Sequence, residues 1–181
     1  MMYTQQVKKE YLERIMTNNG DNLYHTTFSF PVMLVFLRHF GCLFCKEAMI
    51  DISAKRESIE GRGTKIFLVH MASDEIAQSY LEKFQLDDLP RISDPTSQYY
   101  RMFGLGKGSV TQLFGLSTFI RGYDIVVNKN QPVEYNSGHL GDSFQMPGVF
   151  MLQNGKIRES YIHKLASSRP DYQRLADCCT I

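Results

Sequence analysis

The chain has 181 residues, 43% of them apolar and 22% charged, with a formal net charge of +1. That length suits a single domain with a real core, and the balanced charge supplies no field for nucleic acid or an anionic membrane surface. The longest aliphatic and aromatic run, residues 32–37, is too short to cross a bilayer, and MMYTQQVKKEYLERIM lacks the apolar segment of a signal peptide; a cytoplasmic protein is expected.

In chain order, residues 3–16 set Val7, Leu12 and Ile15 among charges, which predicts an amphipathic helix stopping at Asn18-Asn19-Gly20. VMLVFL (32–37) has no polar face, as expected of a strand covered on both sides. From Leu43 to Glu60 the spacing turns helical, with Ala48, Met49, Ile52 and Ile59 against a polar face of Lys46, Glu47, Asp51, Lys55 and Arg56; Gly61-Arg62-Gly63 ends it. KIFLVHMA (65–72) is a second strand. Ser73 caps a helix running through Phe84, and a short third strand precedes Asp94-Pro95, which opens a helical turn through Tyr100 and Phe103. Tyr99, Tyr100 and Phe103 read as core.

Gly104 to Gly108 form a glycine-rich loop, but it follows a helix and lacks the full phosphate-binding pattern, so nucleotide binding is not expected. Residues 109–127 are predicted helical and 128–142 a loop, together an insertion over about 109–145. GVFMLQ, Asn154-Gly155 and KIRESYIH then give the clearest hairpin signal in the chain, because Asn-Gly supplies the positive φ angles of a type I′ turn. A short helix from Asp171 closes the sequence. This order predicts an α/β fold with a mixed central sheet flanked by helices.

RHFGCLFCKE (38–47) carries the chemistry. In a reducing compartment its cysteines read as catalytic, metal-binding or core residues before they read as structural disulfides. A cysteine at a helix start faces unpaired N–H groups and the positive end of the dipole, which favours the thiolate; Arg38 and Lys46 add to that effect. A partner three residues on lies one turn along the same face. The pattern therefore suits an exposed attacking Cys42 and a more buried, resolving Cys45. Zinc remains an alternative, with His39, His70, His163 and Cys178-Cys179 as further candidate ligands, and so does plain packing. His39 is placed to modulate the thiolate. Cys178 and Cys179 read as tail thiols, with resolution of a sulfenic acid as the alternative. Met146-Pro147 followed by GVFMLQNGKI resembles the cis-proline loop, strand and tight turn of thioredoxin-like proteins, and that resemblance implies a cis bond that leaves the backbone of residue 146 free beside the sulfurs.

VMLVFLRHFGCLFCKE, SDPTSQYYRMFGLGKGS and GDSFQMPGVFMLQNGKI together resemble the AhpC/TSA-type peroxiredoxin-like proteins, the peroxiredoxin-like 2 subgroup in particular, over about residues 28–177. The resemblance implies a thioredoxin-like fold and thiol-based antioxidant or disulfide-exchange chemistry. Peroxiredoxins carry Pro-x-x-x-Thr/Ser-x-x-Cys, whose threonine helps bind peroxide. Set on Cys45, that pattern puts Cys42 in place of the threonine and Arg38 in place of the proline; set on Cys42, it meets His39 and Val35. The active-site arginine of the late strand has no counterpart at Met146-Pro147, leaving Arg38 and Arg121 as substitutes.

These readings give one thioredoxin-like domain over 1–181 and a thiol–disulfide oxidoreductase without cofactor. Its site is Cys42 and Cys45, with Arg38, His39, Met146 and Pro147 against the substrate. The expected partners are a cellular dithiol of thioredoxin or glutathione type and a small peroxide or a protein disulfide. Peroxidase action and a non-catalytic binding module are the alternatives.

Overall fold

The computed structural model describes residues 7–115 and 140–179. Its elements, in chain order, are α1 (Lys9–Leu12), α2 (Leu23–Ser29), β1 (Val32–Phe36), α3 (Leu43–Glu60), β2 (Lys65–His70), α4 (Asp74–Glu82) and β3 (Arg91–Ser93). There follow α5 (Gln98–Met102), α6 (Val110–Phe114), β4 (Gly148–Gln153), β5 (Lys156–Ile162) and α7 (Tyr172–Asp177). The five strands form one sheet in the order β3-β2-β1-β4-β5. β1 pairs in parallel with β2, and β2 with β3, while β4 runs antiparallel to both β1 and β5.

Alternation along the strands divides the core in two. Met33, Val35, Ile66, Leu68, Val149 and Met151 face a layer built from α3, α4 and α7, with Met49, Ile52, Tyr80 and Leu175. The intervening residues Leu34, Phe36, Phe67, Val69, Phe150 and Leu152 face Leu12, Leu23, Tyr100 and Phe103. Both faces of the central strands are thus covered, which explains why β1 is apolar at every position.

Several boundaries fall where the sequence puts them. α3 is capped by Cys42 and ends at Gly61, and Ser73 accepts the Ile76 amide at the start of α4. The β4–β5 turn has φ of +53° at Asn154 and +67° at Gly155, with a register shift between Met151 and Leu152. Other boundaries move. The N-terminal helix is one turn, Lys9–Leu12, because the chain then doubles back: Leu23 N–H donates to the Ile15 carbonyl and Thr17 N–H to that of Asp21. Residues 3–6 of that predicted helix lie outside the described residues, as do 116–139 of the predicted insertion, Arg121 included. α2 is an addition, capped by the Asn22 side chain. The predicted polar face of α3 is also corrected: Lys46, Glu47 and Asp51 are buried. Arg169, on the approach to α7, reaches down to Asp51 and lies 3.8 Å from Glu47, so these carboxylates pair inside the interface. Among the described residues, no helix is long and apolar enough to cross a membrane.

Candidate active site

β1 ends at Phe36 beside Gly148 of β4, and Gly148 lies opposite Ile162 of β5. The three chain ends beyond those residues carry Arg38 to Cys42, Pro147 and His163 to one edge of the sheet. Tyr100 from α5 fixes this edge by donating its hydroxyl to the carbonyls of Leu37 and Val69.

Cys42 is the N-cap of α3, and its carbonyl accepts the first helical bonds from the Cys45 and Lys46 amides, each at 3.0 Å. Its sulfur accepts a hydrogen bond from Arg38 Nη2 at 3.0 Å, while the Arg38 backbone N–H donates to Cys45 Sγ at 3.3 Å. Both thiols are free. The Cys45 thiol hydrogen-bonds to Cys42 and lowers its pKa from 9.0 to about 6, against the cost of burial; the Arg38 charge and the helix-start amides of Cys45 and Phe44 work in the same direction. Cys45 moves the opposite way, pushed well up by its bond to Cys42 and by burial. The two sulfurs are thus poised apart, one a thiolate at neutral pH and the other a protonated thiol.

The expectation of an exposed first sulfur is corrected. Cys42 is 5% exposed and Cys45 4%. Phe44, Pro147, His163 and Ala166 close around them, leaving an apolar cavity of about 20 Å³ that Arg38 also lines. A water needs roughly 10–15 Å³ on this measure, so the space suits a molecule of one or two heavy atoms near the sulfur. Arg38 is buried there with Nε and Nη1 unpartnered. A guanidinium stays charged, so the Cys42 thiolate is the anion it faces.

The Met146–Pro147 bond is trans, which corrects the cis proline. Nor is the backbone of residue 146 free: Met146 N–H donates to the Gly106 carbonyl at 3.1 Å, and its own carbonyl accepts from Gln145 Nε2 at 3.3 Å. The glycine-rich loop makes this docking possible, since a Cβ on Gly108 would meet Met146 Sδ at 2.6 Å. Met146 packs in a cluster with Leu113, Ala166 and Phe44 and is not itself among the residues lining the cavity. His39 is also set apart: its backbone bridges to Gly141, Nδ1 has no partner, and burial together with Arg38 lowers its pKa to about 4. Of the expected site, Cys42, Cys45, Arg38 and Pro147 converge, whereas Met146 and His39 do not line the cavity.

His163 does line it, a placement that periodicity could not give. Counting back from the Asn154-Gly155 turn puts residues 161–163 beside Pro147, so the hairpin register held the signal. Cys178 and Cys179 sit at the other pole, where Gln153 Nε2 reaches the Cys179 carbonyl. The five steps of β4 between Gly148 and Gln153 put them roughly 17 Å from the cavity, beyond direct reach of a Cys42 sulfenic acid. Their sulfurs are 3.0 Å apart, and burial and Cys179 push Cys178 up to about 12. Among the described residues, no three His, Cys, Asp or Glu side chains converge as a metal site.

A mixed sheet of this order, sandwiched by helices and with paired cysteines opening the helix after its central parallel strand, defines a protein of thioredoxin-like fold. The sequence matches the AhpC/TSA family over residues 17–160, and the chain belongs to that family. Similar solved structures include a peroxiredoxin-like protein of Aquifex aeolicus, with 13% identity, 95% of this chain and 78% of that one covered, and a TM-score of 0.55. The bacterioferritin comigratory protein of Xanthomonas campestris, studied for alkyl peroxide reduction, has 12% identity, coverage of 90% and 85%, and a TM-score of 0.60. A yeast mitochondrial 1-Cys peroxiredoxin, described with glutathione/thioredoxin systems in its thiol resolution, has 14% identity, coverage of 90% and 68%, and a TM-score of 0.55. At these identities the likeness establishes the fold. A comparison with curated proteins gave no match.

Proposed function

We propose that the protein is a two-cysteine thiol peroxidase acting on small hydroperoxides. One observation carries the reading: a low-pKa Cys42 and a buried arginine with two unpartnered nitrogens share a cavity of about 20 Å³. Membership of the AhpC/TSA family supports it. The Cys42 thiolate attacks the outer oxygen of ROOH, the O–O bond breaks, and the proton of the attacked oxygen passes to the leaving oxygen, giving ROH and a sulfenate. Protonated to the sulfenic acid, Cys42 then forms a disulfide with Cys45 and releases water. A dithiol of thioredoxin or glutathione type reduces that disulfide and leaves as its own disulfide. The free thiols suit a reducing compartment such as the cytoplasm.

Thiol–disulfide exchange is the second reading, favoured by the opposed pKa shifts of Cys42 and Cys45. In the reduced protein, however, a protein disulfide would have to reach a Cys42 that is only 5% exposed, beside a residue 146 whose backbone is already hydrogen-bonded, whereas a small hydroperoxide need only enter the cavity. Turnover separates the two. With thioredoxin, its reductase and NADPH, the native protein consumes hydrogen peroxide or an alkyl hydroperoxide, and Cys42→Ser consumes none. Turnover of a protein disulfide with no consumption of hydroperoxide would favour the second reading instead.

A further inference from the structure

His163 follows β5 and lines the cavity that holds Cys42, Cys45 and Arg38. Its backbone N–H donates to the Pro147 carbonyl at 3.3 Å, and the Tyr161 ring stands edge-on to its imidazole, with centroids 5.2 Å apart at 84°. The backbone is tied to Pro147 and the ring is flanked by Tyr161, yet Nδ1 is buried with no partner. A buried polar atom without a partner is costly and calls for a ligand or water. Burial lowers the pKa of His163 to about 4, so at neutral pH the ring is uncharged and one nitrogen can accept.

The polar groups of the cavity are complementary. Arg38 can only donate, and two of its donors, Nε and Nη1, are unused. Cys45 gives its hydrogen bond to Cys42, and Pro147 has no N–H. A hydroperoxide brings one O–H donor and two acceptor oxygens. Resting on the peroxidase reading, we infer that His163 Nδ1 accepts the hydrogen bond of the hydroperoxide O–H while the Arg38 guanidinium donates to its oxygens. His163 thereby takes over the peroxide-binding hydrogen bond for which this chain has no threonine before its cysteine. The attacked oxygen is held by its own hydrogen, facing Cys42.

The test compares His163→Phe, which keeps a ring but no nitrogen, with His163→Asn, whose amide oxygen can occupy the place of Nδ1. The Phe variant should raise KM for hydrogen peroxide about tenfold while iodoacetamide alkylates Cys42 at the native rate; Asn should bring KM back to within about threefold. An unchanged KM in the Phe variant, or a parallel fall in alkylation, overturns the assignment while native consumption of hydroperoxide leaves the peroxidase reading standing. If the native protein consumes no hydroperoxide, that reading fails and the assignment with it. Should His163→Phe not fold, ¹⁵N NMR of Cys42→Ser, with His163 intact, decides: the Nδ1 resonance should move as hydrogen peroxide is titrated in, and a static resonance overturns the inference.

Discussion

Arg38 serves the sulfurs twice, its guanidinium bonding Cys42 at 3.0 Å and its backbone N–H bonding Cys45 at 3.3 Å. Only the first contact depends on the side chain, so Arg38→Met should spare the Cys45 contact and weaken the thiolate. In the native protein, alkylation of Cys42 should rise with pH and reach half its maximum near pH 6, because the thiol is protonated and inert below that value and a thiolate above it. Arg38→Met should shift the midpoint upward, and Cys45→Ala should shift it further, since the Cys45 hydrogen bond is the larger cause. Iodoacetamide rates from pH 4 to 10 measure all three. A midpoint unmoved in both variants would mean that the helix start alone sets the thiolate.

At the scale of elements, the β4–β5 hairpin fixes the register that brings His163 to Pro147. Gly155 holds φ at +67°, its N–H donates to Thr27 Oγ1 at 2.8 Å, and a Cβ there would meet the Tyr24 ring at 2.5 Å. Gly155→Ala should therefore destabilise the protein by about 1–2 kcal/mol in urea unfolding. Because the turn lies at the pole away from Cys42, kcat at 25 °C should be unaltered. This hairpin, β1 and α3 were legible because their signals are local: an Asn-Gly pair, an unbroken apolar run, and helical spacing closed by glycine. The short α1 and the cap at Asn22 were not, since a tight reversal held by Ile15–Leu23 and Thr17–Asp21 bonds outweighs helical periodicity. At the site, the cysteine pair and the nearby Arg38 were legible from spacing, and Pro147 from the resemblance to thioredoxin-like proteins. The trans bond, the inward Arg38 and the place of His163 depend on contacts between segments far apart in sequence.

Across the whole molecule, the site depends on the packing of α3 against the C-terminal region. Asp51 and Glu47 are buried on α3, and Arg169 meets both from the approach to α7. Arg169→Leu would strand Asp51 in the interface. With Arg169 partly exposed, the expected loss is about 2–3 kcal/mol, below the 3–5 of a fully buried pair. Chemical unfolding checks this, and Arg169→Lys should recover part of the loss. Two layers around one sheet thus hold a buried dithiol whose sulfurs differ in acidity and whose cavity admits only small molecules. Mass spectrometry after one equivalent of hydrogen peroxide tests that claim most directly. The native protein should form a Cys42–Cys45 disulfide, and Cys45→Ser should carry a Cys42 sulfenic acid trapped by dimedone. A sulfenic acid on Cys45 in Cys42→Ser, or a native protein left fully reduced, would contradict it.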